Sequence, residues 1–262
     1  MQEPSETFIL GIDTTGPVDS VALARGEHIV ASLSLRQSLM SSRPLLRLID
    51  VLCVQAQCTL ADVTALAVNV GPGAFTGLRV GLSTAQGLAV AYGKPLLGCT
   101  AFEALVSLVP QWQGGLCPVV QARKGEVYAA LYHMDGDGGQ WTLEEKLPGM
   151  VVTPDALCAL IRERTLFLGS GVTAYRSVLT AALRSDAVCL DLVEARIGLA
   201  ASVARWGTAQ GQRQLEEDPL RIQPFYIRPA DARLPRIAAN AADVTSMTTG
   251  GAAAAPPGGI TR

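Results

Sequence analysis

Residues 71–89 read GPGAFTGLRVGLSTAQGLA, with three glycines in the first seven positions and then an apolar segment of helical character. The preceding run, Thr64-Ala-Leu-Ala-Val-Asn-Val70, is the short continuous apolar stretch of a buried strand. The unit is thus strand, glycine loop, helix. The helix is expected from Gly77 to about Tyr92, where Gly93-Lys94-Pro95 stops it. In one reading Gly71, Gly73 and Gly77 bring backbone N–H groups close to an anion, helped by the dipole of the helix starting near Thr76. A Walker loop would need Lys and then Ser or Thr after its last glycine. Leu78-Arg79 stand there instead, and Arg79 is the one cation of the loop. In the other reading the glycines remove bulk. Gly77, Gly81, Ala85 and Ala89 recur every four residues, a smooth stripe that lets another helix approach closely. Gly81 and Gly87 each cost the helix about 1 kcal/mol relative to Ala. The sequence therefore favours packing, with the partner helix in the same lobe or in another subunit. If the stripe serves association, Gly81→Leu abolishes it and leaves the monomer folded.

Outward from this unit, strands are expected at 8–12, 20–24 and 28–35, with Arg25-Gly26-Glu27 turning between the last two. A helix follows Pro44, capped by Ser41 or Ser42, with Leu45, Leu48, Ile49, Leu52, Cys53 and Ala56 on one face and Val51 and Val54 off it. The second half repeats the plan: strands at 118–122, 127–133 and 141–146, a helix opened by Pro154, a strand at 166–168 ending in Gly169-Ser170-Gly171, and helices near 173–184 and 196–210. A duplicated β-β-β-α-β-α plan implies two α/β lobes around a cleft. The lobes are placed at 1–100 and 101–230. Residues 231–262, rich in Ala, Gly, Thr and Pro, are expected to be a disordered tail.

A few residues bear on chemistry. Asp13-Thr14-Thr15-Gly16 closes the first strand and suits either a metal–nucleotide complex or a turn whose side chains bond nearby backbone N–H groups. The matching strand end in the second half carries Gln121, which weakens a phosphotransferase, and Gly169 and Gly171 read as a tight strand–helix turn. The two histidines, His28 and His133, lie far apart, so the sequence offers no metal-site spacing, no triad and no nucleophile elbow. None of the six cysteines is in a C-x-x-C pair, and they read as reduced thiols of a cytoplasmic protein. Neither a leader nor an apolar run of about 18 residues is evident. A formal net charge of −2 argues against independent nucleic-acid binding, although Arg213, Arg221, Arg228, Arg233 and Arg236 make the end of the chain mildly basic.

Four stretches carry a resemblance: Ile9-Leu-Gly-Ile-Asp-Thr-Thr15, residues 71–89, residues 122–132 (ARKGEVYAALY) and Pro224-Phe-Tyr-Ile-Arg228. Together the chain, from about residue 8 to 230, resembles the TsaB (YeaZ) family of bacterial tRNA threonylcarbamoyladenosine synthesis. The resemblance implies two duplicated actin/Hsp70-like lobes of the ASKHA, ribonuclease H-like class. It implies an accessory subunit rather than the transferase, since the catalytic relative TsaD uses a metal held by a His-x-x-x-His motif that this sequence lacks. The implied partners are TsaD, a second copy of the chain, the small ATPase TsaE, and tRNA mainly through the complex. No cofactor is expected in isolation, with ATP or ADP as the nucleotide of the complex interface. The implied contacts use the two first-lobe helices: Leu46, Asp50, Val54, Gly77, Arg79, Val80, Gly81, Ser83 and Thr84. Asp13, Thr14, Thr15, Gly71, Gly73, Gly169 and Gly171 would form a degenerate nucleotide site. One departure is Ser41-Ser42-Arg43, where many relatives carry a His-Ser-Glu-like triplet.

Overall fold

Two five-stranded sheets with the same strand order form the protein. The computed structural model describes residues 7–36, 45–137, 140–190, 197–210 and 218–227. Ser41-Ser42-Arg43, Arg213, Arg228, Arg233, Arg236 and the tail at 231–262 lie outside the described residues.

The first sheet holds β1 (Phe8–Asp13), β2 (Val18–Arg25), β3 (His28–Arg36), β4 (Ala65–Gly71) and β5 (Leu96–Thr100) in the order β3-β2-β1-β4-β5. β1 to β3 form an antiparallel meander, and β4 and β5 continue parallel to β1. The second sheet repeats this with β6 (Gly114–Gln121), β7 (Val127–Asp137), β8 (Gln140–Val152), β9 (Thr165–Leu168) and β10 (Ala187–Cys189) in the order β8-β7-β6-β9-β10. Again the first strand pairs antiparallel with the second and parallel with the fourth. This repeated order is the actin-like, ribonuclease H-like lobe.

The helices are α1 (Leu45–Gln55), α2 (Phe75–Tyr92), α3 (Ala101–Val106), α4 (Pro154–Leu160), α5 (Ser170–Leu183) and α6 (Ala200–Gln210). Sequence reading missed β5, α3 and β10. β5 runs without a loop into α3, which Thr100 and Glu103 cap reciprocally. β10 has three residues, too few for a period to register.

Strand alternation divides the first lobe into two cores. Phe8, Leu10 and Ile12 face α1 and α2 with Leu45, Ile49, Leu52, Leu82 and Ala85. Ile9 faces the opposite way, into a cluster dominated by alanine: Ala22, Ala24, Ala65, Ala67, Ala104, Ala200 and Ala204. The last two belong to α6. The helix expected at 196–210 as part of the second lobe therefore packs on the first sheet, and a contiguous boundary at residue 100 does not describe the packing. Small side chains allow this close approach. A Cβ on Gly11 would overlap the Ala200 carbonyl oxygen and stand 2.7 Å from the Ala204 nitrogen.

Residues 218–227 return to the first lobe as well. Ile222 is buried in the α1/α2 core, the Phe225 amide donates to the Val70 carbonyl at 2.8 Å, and Gln86 Nε2 donates to the Pro219 and Ile222 carbonyls at 3.1 Å each. Ile222 is the apolar anchor of this strap, so Ile222→Ala is expected to cost about 2–4 kcal/mol, read as a lowered urea midpoint.

Candidate functional site

The strand-end turn after β1 is organised by one buried carboxylate. Asp13 Oδ1 accepts from the Thr15 amide (3.0 Å), Thr15 Oγ1 (2.7 Å) and Asn69 Nδ2 (3.0 Å). Asp13 Oδ2 accepts from the Leu199 amide at 2.8 Å, and Ser20 Oγ accepts from the Ala200 amide at 3.3 Å. Gly198-Leu199 supplies no capping side chain just ahead of α6. The first N–H groups of that helix are instead satisfied in trans, by residues of β1 and β2. A carboxylate suits the positive end of a helix dipole. Gly198 makes the approach possible: its φ is +88°, and a Cβ there would overlap Ser20 Oγ and stand 3.5 Å from Asp13 Oδ2.

The glycine loop closes over the same turn. Asn69 Oδ1 accepts from the Gly71 amide at 2.9 Å, and Thr15 O accepts from the Ala74 amide at 2.7 Å. A Cβ on Gly73 would lie 2.6 Å from Thr15 O, and one on Gly71 would lie 2.9 Å from Phe225 O. Thr14 Oγ1 donates to the Gly77 carbonyl at 2.7 Å, and a Cβ on Gly81 would overlap that same Oγ1. Gly77, Gly81, Ala85 and Ala89 are all buried. The small-residue stripe thus faces the protein's own β1 and β4. Gly77 and Gly81 are withdrawn as partner contacts, and Gly81→Leu is expected to disturb the monomer itself. The steric reading of the opening stretch holds, but the close neighbour is a strand end rather than a helix.

Asp13, Thr14, Thr15, Gly71 and Gly73 are brought together, and they do not fit a metal–nucleotide complex. Four protein donors occupy the carboxylate, and the room beside the glycines is filled by Thr15, Leu78 and Phe225. Gly169 and Gly171 pack on Val119 of β6, with Gly169 at φ +107°, which is the strand–helix turn that sequence favoured. Among the described residues no group of three or more His, Cys, Asp or Glu is arranged to hold a metal ion. Burial pushes the Cys99 and Cys117 thiols well up, so they behave as core residues. Sequence reading missed Asn69, Ser20 and Gly198. Asn69 carried a signal, as the one polar residue in the apolar run ALAVNVG. The other two carried none, because their partners lie about half a chain or more away.

The remaining interface candidates are on outward faces. Leu46 (56% exposed), Asp50 and Val54 (71%) line one face of α1, with Val51 beside them. On α2, Arg79 and Ser83 are exposed and Val80 and Thr84 half-buried; Gly87 is exposed, with open space where a Cβ would be. Arg79 does not stand free for an anion. Its guanidinium lies 4.0 Å over the Phe75 ring and its Nε donates to Tyr226 Oη at 3.0 Å, while the Phe75 and Tyr226 rings stack at 5.3 Å. Arg79, Ser83, Gln86 and Leu220 line a groove of about 410 Å³ between α2 and the strap. Arg221 is exposed on the strap, beside Asp218. No helix among the described residues is long and apolar enough to cross a membrane.

Comparison with known proteins agrees with this architecture. Residues 37–203 match the family model for TsaD, tRNA N6-adenosine threonylcarbamoyltransferase. The tRNA threonylcarbamoyladenosine biosynthesis protein TsaB of Escherichia coli K12 is 35% identical over 139 residues, 52% of this chain and 59% of that protein. The TsaB protein of Haemophilus influenzae is 27% identical over 230 residues, 84% of this chain and 93% of that one. The match thus spans about three-fifths of the Escherichia coli relative and nearly all of the Haemophilus one. The solved YeaZ structure from Pseudomonas aeruginosa, 24% identical, covers 84% of this chain and 99% of its own, with a TM-score of 0.66. With a family model matching well over half its length and TsaB relatives on either side, the chain belongs to the threonylcarbamoyltransferase (TsaD) family and, within it, to the TsaB/YeaZ branch of tRNA threonylcarbamoyladenosine biosynthesis.

Proposed function

We propose that the protein is a non-catalytic scaffold and activator that docks TsaD and supports threonylcarbamoyl transfer to the adenosine beside the anticodon of tRNAs reading codons that start with A. One observation carries the reading: α1 presents Leu46, Val51 and Val54 to solvent, at 56%, 42% and 71% exposure, on the side turned away from its own core. Apolar side chains aligned on an outward helix face mark a surface for a partner. Asp50 on α1 and Val80, Ser83, Thr84 and Gly87 on the neighbouring α2 extend it. Gly87 supports the same reading, since its cost to the helix relieves no contact with the described residues. TsaE would join the TsaB–TsaD pair, a second copy of the chain would compete for the same face, and tRNA would be met mainly through TsaD. Where ATP or ADP enters the assembly, the proposal places it at the interface with TsaD.

A nucleotide-binding phosphotransferase or a peptidase of the same fold is the competing reading, and the sequence offers the peptidase no triad. The saturation of Asp13 by protein donors weighs against the phosphotransferase. A Leu46→Glu/Val54→Glu double variant tests the docking reading. Both positions are exposed, so the melting midpoint should stay within about 2 °C of the parent. Affinity for purified TsaD should fall by at least about thirtyfold, as expected when charge enters the centre of an apolar interface. Threonylcarbamoyl transfer by TsaD and TsaE should fall with it. Unchanged binding by a folded double variant overturns the assignment of this face.

A further inference from the structure

We propose that Cys53 and Cys58 form a reversible disulfide site at the C-terminal end of α1, oxidised by a small-molecule disulfide of the glutathione class. The local backbone creates the pair. Gln57 has φ 52°, its amide donates to the Val54 carbonyl at 3.2 Å, and the Cys58 amide donates to the Cys53 carbonyl at 3.0 Å. These are the two nested hydrogen bonds of a Schellman cap, with Gln57 in the left-handed position. That cap sets its first and last positions on neighbouring sides of the turn, where a side-chain contact frequently accompanies it; here both positions carry thiols. Cys53 belongs to the core cluster of α1 and α2, Cys58 packs against that same cluster, and both cysteines are free. Sequence spacing alone, C-x4-C, reads as no motif; the left-handed residue folds the chain back.

The two thiols have different roles. Cys53 is 7% exposed, whereas Cys58 is half-buried and reachable. Burial first, then the neighbouring Cys58, Asp50 and Asp62, push the Cys53 thiol up to about 11, so little of it is thiolate at neutral pH. Attack on an external disulfide therefore begins at Cys58. The Cys58 thiolate displaces one glutathione thiolate and forms a mixed disulfide. Cys53 then gives up its proton and attacks the Cys58 sulfur, releasing the second glutathione thiolate. Two protein thiols are oxidised to one disulfide, and one glutathione disulfide is reduced to two glutathiones. The bond pins the last turn of the helix that carries Val51 and Val54.

The site is independent of the docking reading, and its test involves no partner. The full-length chain is incubated with excess oxidised glutathione, remaining thiols are alkylated, and tryptic peptides are weighed without reduction. Cleavage after Arg47 and Arg79 leaves Cys53 and Cys58 as the two cysteines of one peptide. The expected product is that peptide, unalkylated and lighter by two hydrogens, restored to the dithiol by dithiothreitol. Cys53→Ser should stop at a stable glutathione adduct on Cys58, and Cys58→Ser should leave Cys53 unmodified. A parent chain that keeps both thiols, or that accumulates the Cys58 adduct, overturns the proposal.

Discussion

Asp13→Ala is expected to destabilise the protein by about 3–5 kcal/mol, read as a large fall in the urea midpoint of the isolated chain. The carboxylate is 2% exposed and collects four hydrogen bonds from three separate parts of the sequence. Alanine leaves the Thr15 and Leu199 amides without their acceptor and takes one of two acceptors from the Asn69 side-chain amide, which keeps Thr15 Oγ1 at 3.0 Å, in a place water does not reach. Each unsatisfied buried donor costs about 1–3 kcal/mol, and losing the acceptor of a buried charged network falls in the upper part of the range seen for single substitutions. Asp13→Asn separates charge from shape. Its carbonyl can still serve Thr15 and Asn69, but its NH2 then faces the Leu199 amide, donor against donor, so an intermediate loss is expected. A nucleotide-site role would give the opposite pattern, with full stability and a lost ligand. An Asp13→Ala protein as stable as the parent would show that this carboxylate is not the keystone of the turn.

Gly11→Val should be of similar severity, about 3 kcal/mol or more, because its clash is with backbone. Gly11 lies in the middle of β1, fully paired on both sides, beneath α6. A Cβ would press on Ala200 O and Ala204 N, which no rotamer change can move. Relief requires lifting α6 off the sheet, at the expense of the alanine-rich core and the trans cap from Asp13 and Ser20. Gly87→Ala is the counterpart in open space, expected to add stability of about 1 kcal/mol. Thermal melts of the two variants should move in opposite directions. A Gly11→Val chain melting with the parent would mean that α6 does not sit on β1 as described.

The sequence by itself determined the longer local elements and their duplication, though not β5, α3 or β10. The apolar runs at residues 8–12, 20–24 and 64–70 and the helical spacing on α1 and α2 depend on near neighbours, and a local pattern records them directly. It also favoured a steric role for residues 71–89, since no cation pattern of a phosphate loop accompanies the glycines. Only the tertiary structure decided what meets those glycines. Gly81 answers to Thr14 and Gly11 to Ala200, pairs 67 and 189 positions apart in the chain. The assignment of α6 and the strap to the first lobe, and the conversion of Asp13 from a possible ligand into a helix cap, belong to the same class. A hydrogen bond or a close backbone contact is satisfied by any group of suitable shape that the fold delivers, so its partner leaves no periodic trace in the sequence.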